Sequence, residues 1–119
     1  MKFVLMVNET AEELAKRLDP EKVGPYMAPY SAYWEALSAA GVVAGGNMVE
    51  HPKDAATVRI RGGERQIHDG PFADTKEQLG GWFIIDVPDM QTALEWAAKC
   101  PSAATGSVEV RPVSPDPEQ

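Results

Sequence analysis

Residues 2–8 place Phe3, Leu5 and Val7 on one side of an extended chain and Val4 and Met6 on the other. Side chains alternate between the faces of a strand, so a short run that is apolar on both sides predicts a strand needing cover on both. Thr10, followed three residues later by Glu13, is a capping-box pattern that opens a short helix to about residue 18. Asp19-Pro20 and Gly24-Pro25 then break the chain. Across residues 29–40, Tyr30, Tyr33, Trp34, Leu37 and Ala40 recur at helical spacing, with Pro29 suited to the first turn and Gly41 to the stop. Residues 42–49 read as a second strand, weakened by Gly45 and Gly46. After the His51-Pro52 break, residues 57–61 and 64–68 flank Gly62-Gly63 as a two-residue hairpin. Residues 82–87 form another strand with apolar residues on both faces. Asp89 caps a helix whose buried stripe is Met90, Ala93, Leu94, Ala97 and Ala98, and Pro101 ends it. Residues 107–113 alternate as a last strand, and residues 114–119 form a Pro-rich acidic tail outside a single domain of residues 1–113.

In order this gives strand, helix, strand, inserted β-hairpin, strand, helix, strand, the pattern of an α+β ferredoxin-like sandwich with two helices on one sheet face. Those helices cover one side only. Val4, Met6, Trp82 and Ile84 therefore call for a partner on the second side, and a homodimer packed sheet to sheet is expected. The alternative is a monomer in which the inserted hairpin folds back over that face.

At 119 residues, with 44% hydrophobic and 24% charged, the chain has material for one core. Eleven Lys and Arg against 18 Asp and Glu give a formal charge of -7, which repels phosphate backbones and anionic lipid surfaces and argues against direct nucleic-acid or membrane binding. The densest basic stretch, Arg59, Arg61 and Arg65, is interrupted by Glu64 and reads as a solvated hairpin face. Cys100 is the single cysteine, so neither an intramolecular disulfide nor a cysteine zinc site is available within one subunit, and a cytoplasmic location is expected. The apolar opening is too short for a signal-peptide core or a membrane span.

Candidate chemistry concentrates in residues 68–81, His-Asp-Gly-Pro-Phe-Ala-Asp-Thr-Lys-Glu-Gln-Leu-Gly-Gly, where ionisable groups are packed between two strands. Loops held by rigid strands commonly carry reactive groups, and a histidine beside carboxylates moves protons near neutral pH. His68 and Asp69 are the catalytic candidates. Neighbouring strand residues point to opposite faces, so they form a dyad only if the Gly70-Pro71 turn redirects Asp69. Asp74, Glu77 and His51 are equally open as partners of His68. The plainer readings are a strand histidine bonded to a carbonyl, and an Asx-turn aspartate organising Gly70-Pro71. Thr75, Lys76 and Glu77 could line an anion pocket for substrate, or display an ordinary solvated turn. Glu50, His51 and Asp54 match no metal-ligand spacing, and no metal or cofactor is expected. Cys100 reads as a buried, inert thiol, and Tyr26, Tyr30, Tyr33 and Trp34 as mostly core.

Asp69-Gly70-Pro71-Phe72, continued as Ala73-Asp74-Thr75-Lys76-Glu77-Gln78-Leu79-Gly80-Gly81, resembles the signature of DGPF-type proteins of the YCII-related family. Ala40-Gly41-Val42, Ala97-Ala98-Lys99-Cys100-Pro101 and Gly106-Ser107-Val108-Glu109-Val110-Arg111-Pro112 extend the resemblance along nearly the whole chain. It implies a dimeric α/β-barrel built from two ferredoxin-like subunits. It also implies, from a few members, a cofactor-independent lyase of chlorinated or hydroxylated aromatic rings using a His and an Asp, and, from others, an accessory role beside extracytoplasmic-function sigma factors. Asp69 to Phe72 and Thr75 to Gly81 match the signature; His68 lies outside it, which ranks Asp69 first. The leading expectation is a lyase or isomerase in which Asp69, with or without His68, moves a proton on a small ring compound beside Lys76. Its rival is a protein that senses a ligand or binds a partner without transforming anything.

Overall fold

The computed structural model describes residues 1–71 and 75–115. Six strands, β1 (Lys2–Thr10), β2 (Val43–Met48), β3 (Ala56–Arg61), β4 (Glu64–Asp69), β5 (Glu77–Asp86) and β6 (Ser107–Pro112), alternate with four helices, α1 (Ala11–Ala15), α2 (Val23–Ala39), α3 (Met90–Ala98) and α4 (Ser102–Thr105). The main sheet is antiparallel in the order β2-β5-β1-β6, and β3 with β4 forms a separate two-stranded ribbon. This is the expected ferredoxin-like sandwich with its inserted hairpin.

The alternation read from residues 2–8 decides which face is covered. Phe3, Leu5 and Val7 are buried, as are Phe83 and Ile85 opposite them on β5. They pack under Tyr33 and Leu37 of α2 and Ala93 and Ala97 of α3. Each large apolar side chain buried this way contributes roughly 1.5–3 kcal/mol. Tyr33 sets its ring edge-on to Phe83 at 5.3 Å and donates its hydroxyl to the Trp96 carbonyl at 2.7 Å, tying α2 to α3. The caps form as expected: the Thr10 hydroxyl accepts from the Glu13 amide at 3.3 Å, and the Asp89 carboxylate from the Thr92 amide at 2.8 Å.

Two elements start earlier than the pattern predicts. Helix α2 begins at Val23 and carries Pro29 in its interior, not in its first turn. Pro25 occupies the first turn, where a missing N–H costs nothing, and the buried face of Tyr26, Tyr30, Tyr33 and Leu37 holds the helix through Pro29. Strand β5 begins at Glu77, so Gly80 and Gly81 lie within it; between Val7↔Gly81 and Asn8↔Leu79 the register shifts and Gly80 is the extra residue of a bulge.

The hairpin turns through Gly62 and Gly63, both at positive φ (58° and 78°), as a two-residue turn requires. It is not laid over the second face of the sheet, for Val58, Ile60 and Ile67 remain 61%, 59% and 58% exposed. The molecule is accordingly a slab of 47 × 45 × 19 Å with a radius of gyration of 16.0 Å, against about 13.5 Å for a compact chain of this length. On the open side of the slab Val4, Met6, Trp82 and Ile84 are half-buried, with Leu79 exposed.

Candidate functional site

Strand pairing places the sequence candidates on different surfaces. Partners across a hairpin share a face, so Asp69 goes with Ala56, Val58, Ile67 and Ile60, while His68 goes with Thr57, Arg59 and Gln66 on the reverse. The two neighbours do not form a dyad. His68 is exposed and borders a largely polar recess of about 410 Å³ with Thr57, Arg59, Gln66 and Ile67. Asp69 instead borders a cleft of about 470 Å³ whose polar rim includes His51, Thr75, Lys76 and Gln78, against an apolar floor of Leu14 and Pro71.

The backbone turn after Asp69 is fixed by other groups. The Gly70 amide donates to the Ala55 carbonyl at 2.7 Å, and the Thr57 hydroxyl to the Gly70 carbonyl at 2.9 Å. Among the described residues the Asp69 carboxylate has no hydrogen-bond partner. His51 accepts the Lys53 amide on Nδ1 at 3.0 Å, which leaves Nε2 as the proton-bearing nitrogen of its neutral ring. Thr75 is spent on its own turn, its hydroxyl donating to the Glu77 carbonyl and accepting from Gln78 Nε2 at 3.1 Å. Lys76 is exposed and its ammonium meets no carboxylate among the described residues. Glu77 turns away from the cleft and accepts the Ser107 hydroxyl at 2.5 Å. Of the signature, Phe72, Ala73 and Asp74 lie outside the described residues, as do residues 116–119 of the tail.

A second cluster, deep in the molecule, was not anticipated. Glu9 is 1% exposed, yet it carries a carboxylate. The Tyr26 hydroxyl lies 2.5 and 2.6 Å from its two oxygens, the Tyr30 hydroxyl donates to Oε1 at 2.5 Å, and Arg17 Nη2 reaches Oε2 at 3.2 Å. Arg17 also donates from Nε to the Tyr26 oxygen at 2.9 Å, from Nη2 to the Gly80 carbonyl at 2.7 Å and from Nη1 to the Val49 carbonyl. Burial foremost, then the hydrogen bond to Glu9, holds both phenols far above the ordinary tyrosine value, so they stay protonated as donors. Gly80 is where the signature meets this cluster. A Cβ there would lie 2.2 Å from Glu9 Oε2 and 3.0 Å from Arg17 Nη2, so only glycine fits beside the ion pair. The sequence did carry a signal: the inward parity of Phe3, Leu5 and Val7 continues to Glu9, and an acid on a buried face needs partners.

A third recess, about 460 Å³, lies between α2 and the edge strand β2 and is lined by Met27, Tyr30, Trp34, Met48 and Phe83, with Ser31, Glu35 and Asn47 as polar groups. Trp34 is partly exposed there, its ring 6.1 Å from that of Phe83. Among the described residues no group of three or more His, Cys, Asp or Glu side chains is placed to hold a metal, and no helix is long and apolar enough to cross a membrane. Cys100 is buried against Ser102, and burial pushes its thiol up, away from thiolate reactivity.

Comparison with known proteins agrees with this architecture. The family model described as the YCII-related domain matches residues 1–116. An uncharacterized protein of Rhizobium meliloti (strain 1021) is 48% identical over 62 residues, a stretch spanning 50% of this chain and 50% of that protein. The structure of 5-chloro-2-hydroxyhydroquinone dehydrochlorinase from Burkholderia phenoliruptrix AC1100, in complex with 2,5-dihydroxybenzoquinone, superposes with a TM-score of 0.52 at 17% identity, covering 96% of this chain and 94% of that one.

Proposed function

The chain belongs to the YCII-related family, and on that premise we propose that it is a cofactor-independent lyase or isomerase acting on a small hydroxylated or halogenated ring compound, with Asp69 as the proton-transfer group. The observation that carries this reading is the Asp69 carboxylate, without a hydrogen-bond partner among the described residues, on a partly apolar cleft it shares with His51 and Lys76. A carboxylate with no internal partner is available to take a proton, and an ammonium nearby stabilises negative charge that develops on the ring oxygens. His51, not His68, is the histidine on that cleft and the better relay. For a halogenated ring the chemistry is a net loss of hydrogen halide: the base accepts the ring's proton and the halide departs with the electron pair of the carbon–halogen bond. No change of oxidation state is asked of the protein, so none of these groups has to be a redox centre. The ligand bound to the structural neighbour, a dihydroxylated quinone, supports the choice of ring class.

The half-buried stripe of Val4, Met6, Trp82 and Ile84 supports a sheet-to-sheet homodimer forming an α/β-barrel, and a lone, buried cysteine suits the cytoplasm. Purified protein offered chlorinated hydroxyhydroquinones should release halide, and Asp69→Asn should cut that rate by about 10²–10⁴-fold while leaving the fold intact. Full turnover in the variant would remove Asp69 from the chemistry.

The rival reading, a ligand-sensing or accessory protein linked to sigma-factor regulation, is favoured by the recess on α2, where Trp34, Phe83 and Met48 offer apolar contact to a ring and Ser31, Glu35 and Asn47 polar contact. It predicts saturable binding of ring compounds with no consumption, weakened by Trp34→Ala and indifferent to Asp69→Asn.

A further inference from the structure

Three walls of the Asp69 cleft are tied together by one side chain that does not line it. Leu14 of α1 belongs to the first wall, His51 in the turn after β2 to the second, and Lys76 and Gln78, where β5 begins, to the third. Arg17 follows Leu14 by three residues, in the 3₁₀ turn (Lys16–Leu18) that continues α1, and its side chain is only 10% exposed. From there Nη1 donates to the Val49 carbonyl, two residues before His51, and Nη2 donates at 2.7 Å to the Gly80 carbonyl, two residues after Gln78. The Val49 amide closes the triangle on that same Gly80 carbonyl at 3.0 Å. The wall that carries Asp69 is held otherwise, by the Gly70 amide on the Ala55 carbonyl.

We infer that Arg17 is the positioning residue of this cleft: through the Val49 and Gly80 carbonyls its guanidinium sets the separation of the backbone segments that bring His51 and Lys76 to the ring. This role rests on the proton transfer proposed for Asp69. Arginine suits it because a planar guanidinium offers donors in a rigid fork, so two carbonyls accept from two nitrogens a fixed distance apart. The fork is held from its other side as well, by Nε on the Tyr26 oxygen and Nη2 on Glu9, and so does not tilt. A lysine supplies Glu9 with the same charge but brings one nitrogen, which cannot stand in both Nη positions. The charge of Arg17 and its bridge are therefore separable by substitution. Short backbone segments join Val49 to His51 and Gly80 to Lys76, so a carbonyl released from the fork carries its neighbour with it, and reacting groups misplaced by about 1 Å lose on the order of 10²-fold in rate.

Arg17→Lys in the full chain, offered a chlorinated hydroxyhydroquinone, should lower kcat for halide release about 10–100-fold with KM nearly unchanged. Tyr33→Phe is the control: it drops a hydrogen bond between α2 and α3, lines none of the cleft and should keep the parent's kcat despite a lower melting temperature. Parent-like kcat in Arg17→Lys overturns the positioning role and leaves Asp69 in place. A loss in Tyr33→Phe that matches the loss in Arg17→Lys overturns it too, because stability alone then explains both. If Arg17→Lys does not fold, NMR of the unaltered protein decides: Arg17 should give separate, slowly exchanging Nη signals that shift when the ring compound saturates the cleft, and a single averaged signal, or signals indifferent to the compound, overturns the role. A parent that releases no halide overturns the chemistry of Asp69 and this role with it, a failure told apart from the others because it shows without any variant.

Discussion

Two carboxylates, sixty residues apart in sequence, meet opposite treatment. Glu9 sits at the inner end of β1 under two phenols and a guanidinium, with every oxygen occupied; Asp69 ends β4 at the surface with no partner among the described residues. A buried charge is tolerated only when paired and fully hydrogen-bonded, so the Glu9 cluster is a fastening, and its members are committed to one another. An unpaired carboxylate on a cleft costs little to maintain in water and stays available to a ligand. The distinction separates what holds this molecule together from what it can offer a substrate, and each of the following changes tests one side of it.

The largest loss of stability is expected from Glu9→Ala, which leaves Arg17 buried beside two phenols and no counter-ion; chemical denaturation should register about 3–5 kcal/mol. Gly80→Ala comes next, because the new methyl has to displace the ion pair: roughly 1–3 kcal/mol, read as a fall in melting temperature. Tyr30→Phe removes one donor to the carboxylate and should cost about 1.5–3 kcal/mol, and it carries a pH signature. Tyr26 and Tyr30 have phenols raised above their ordinary value of 10.0, so the stability they supply is whole below pH 10 and declines above it, as the unfolded chain ionises while the folded one resists. The slope of stability against pH above 10 should therefore be shallower in Tyr30→Phe than in the parent. Asp69→Asn is the smallest change by this measure, within about 0.5 kcal/mol of the parent, as befits an exposed group without partners among the described residues. A large destabilisation there would place Asp69 with Glu9 among the fastenings.

Much of the frame was legible because it follows from periodicity. Alternation at Phe3, Leu5 and Val7, the Thr10 and Asp89 caps and the Gly62-Gly63 turn are local signals with local causes. Helix α2 was read too short because two prolines suggested breaks, whereas the tyrosine face beyond them decides the matter through tertiary packing. Strand β5 was read too short because Gly80-Gly81 looked like loop; its reason is a carboxylate some seventy residues earlier in the chain. The candidate site was legible as a segment and not as a set. His68 and Asp69 are adjacent in sequence and therefore apart in a strand, while His51 reaches the Asp69 cleft from a turn before the hairpin. Sequence distance gave no hint of that meeting.

The strand order β2-β5-β1-β6 has a kinetic consequence. The central strand β1 pairs on both sides with segments made from the far half of the chain, Lys2 with Asp86 and Phe3 with Pro112. Closing loops of that length precedes any gain from the pairing, so folding should run on the millisecond-to-second scale and not in microseconds. The hairpin of β3 and β4, whose partners are at most a dozen or so residues apart, can form within about 1–10 μs. Until β5 and β6 arrive, the apolar β1 has both edges open, and that interval is when the chain is most prone to aggregate.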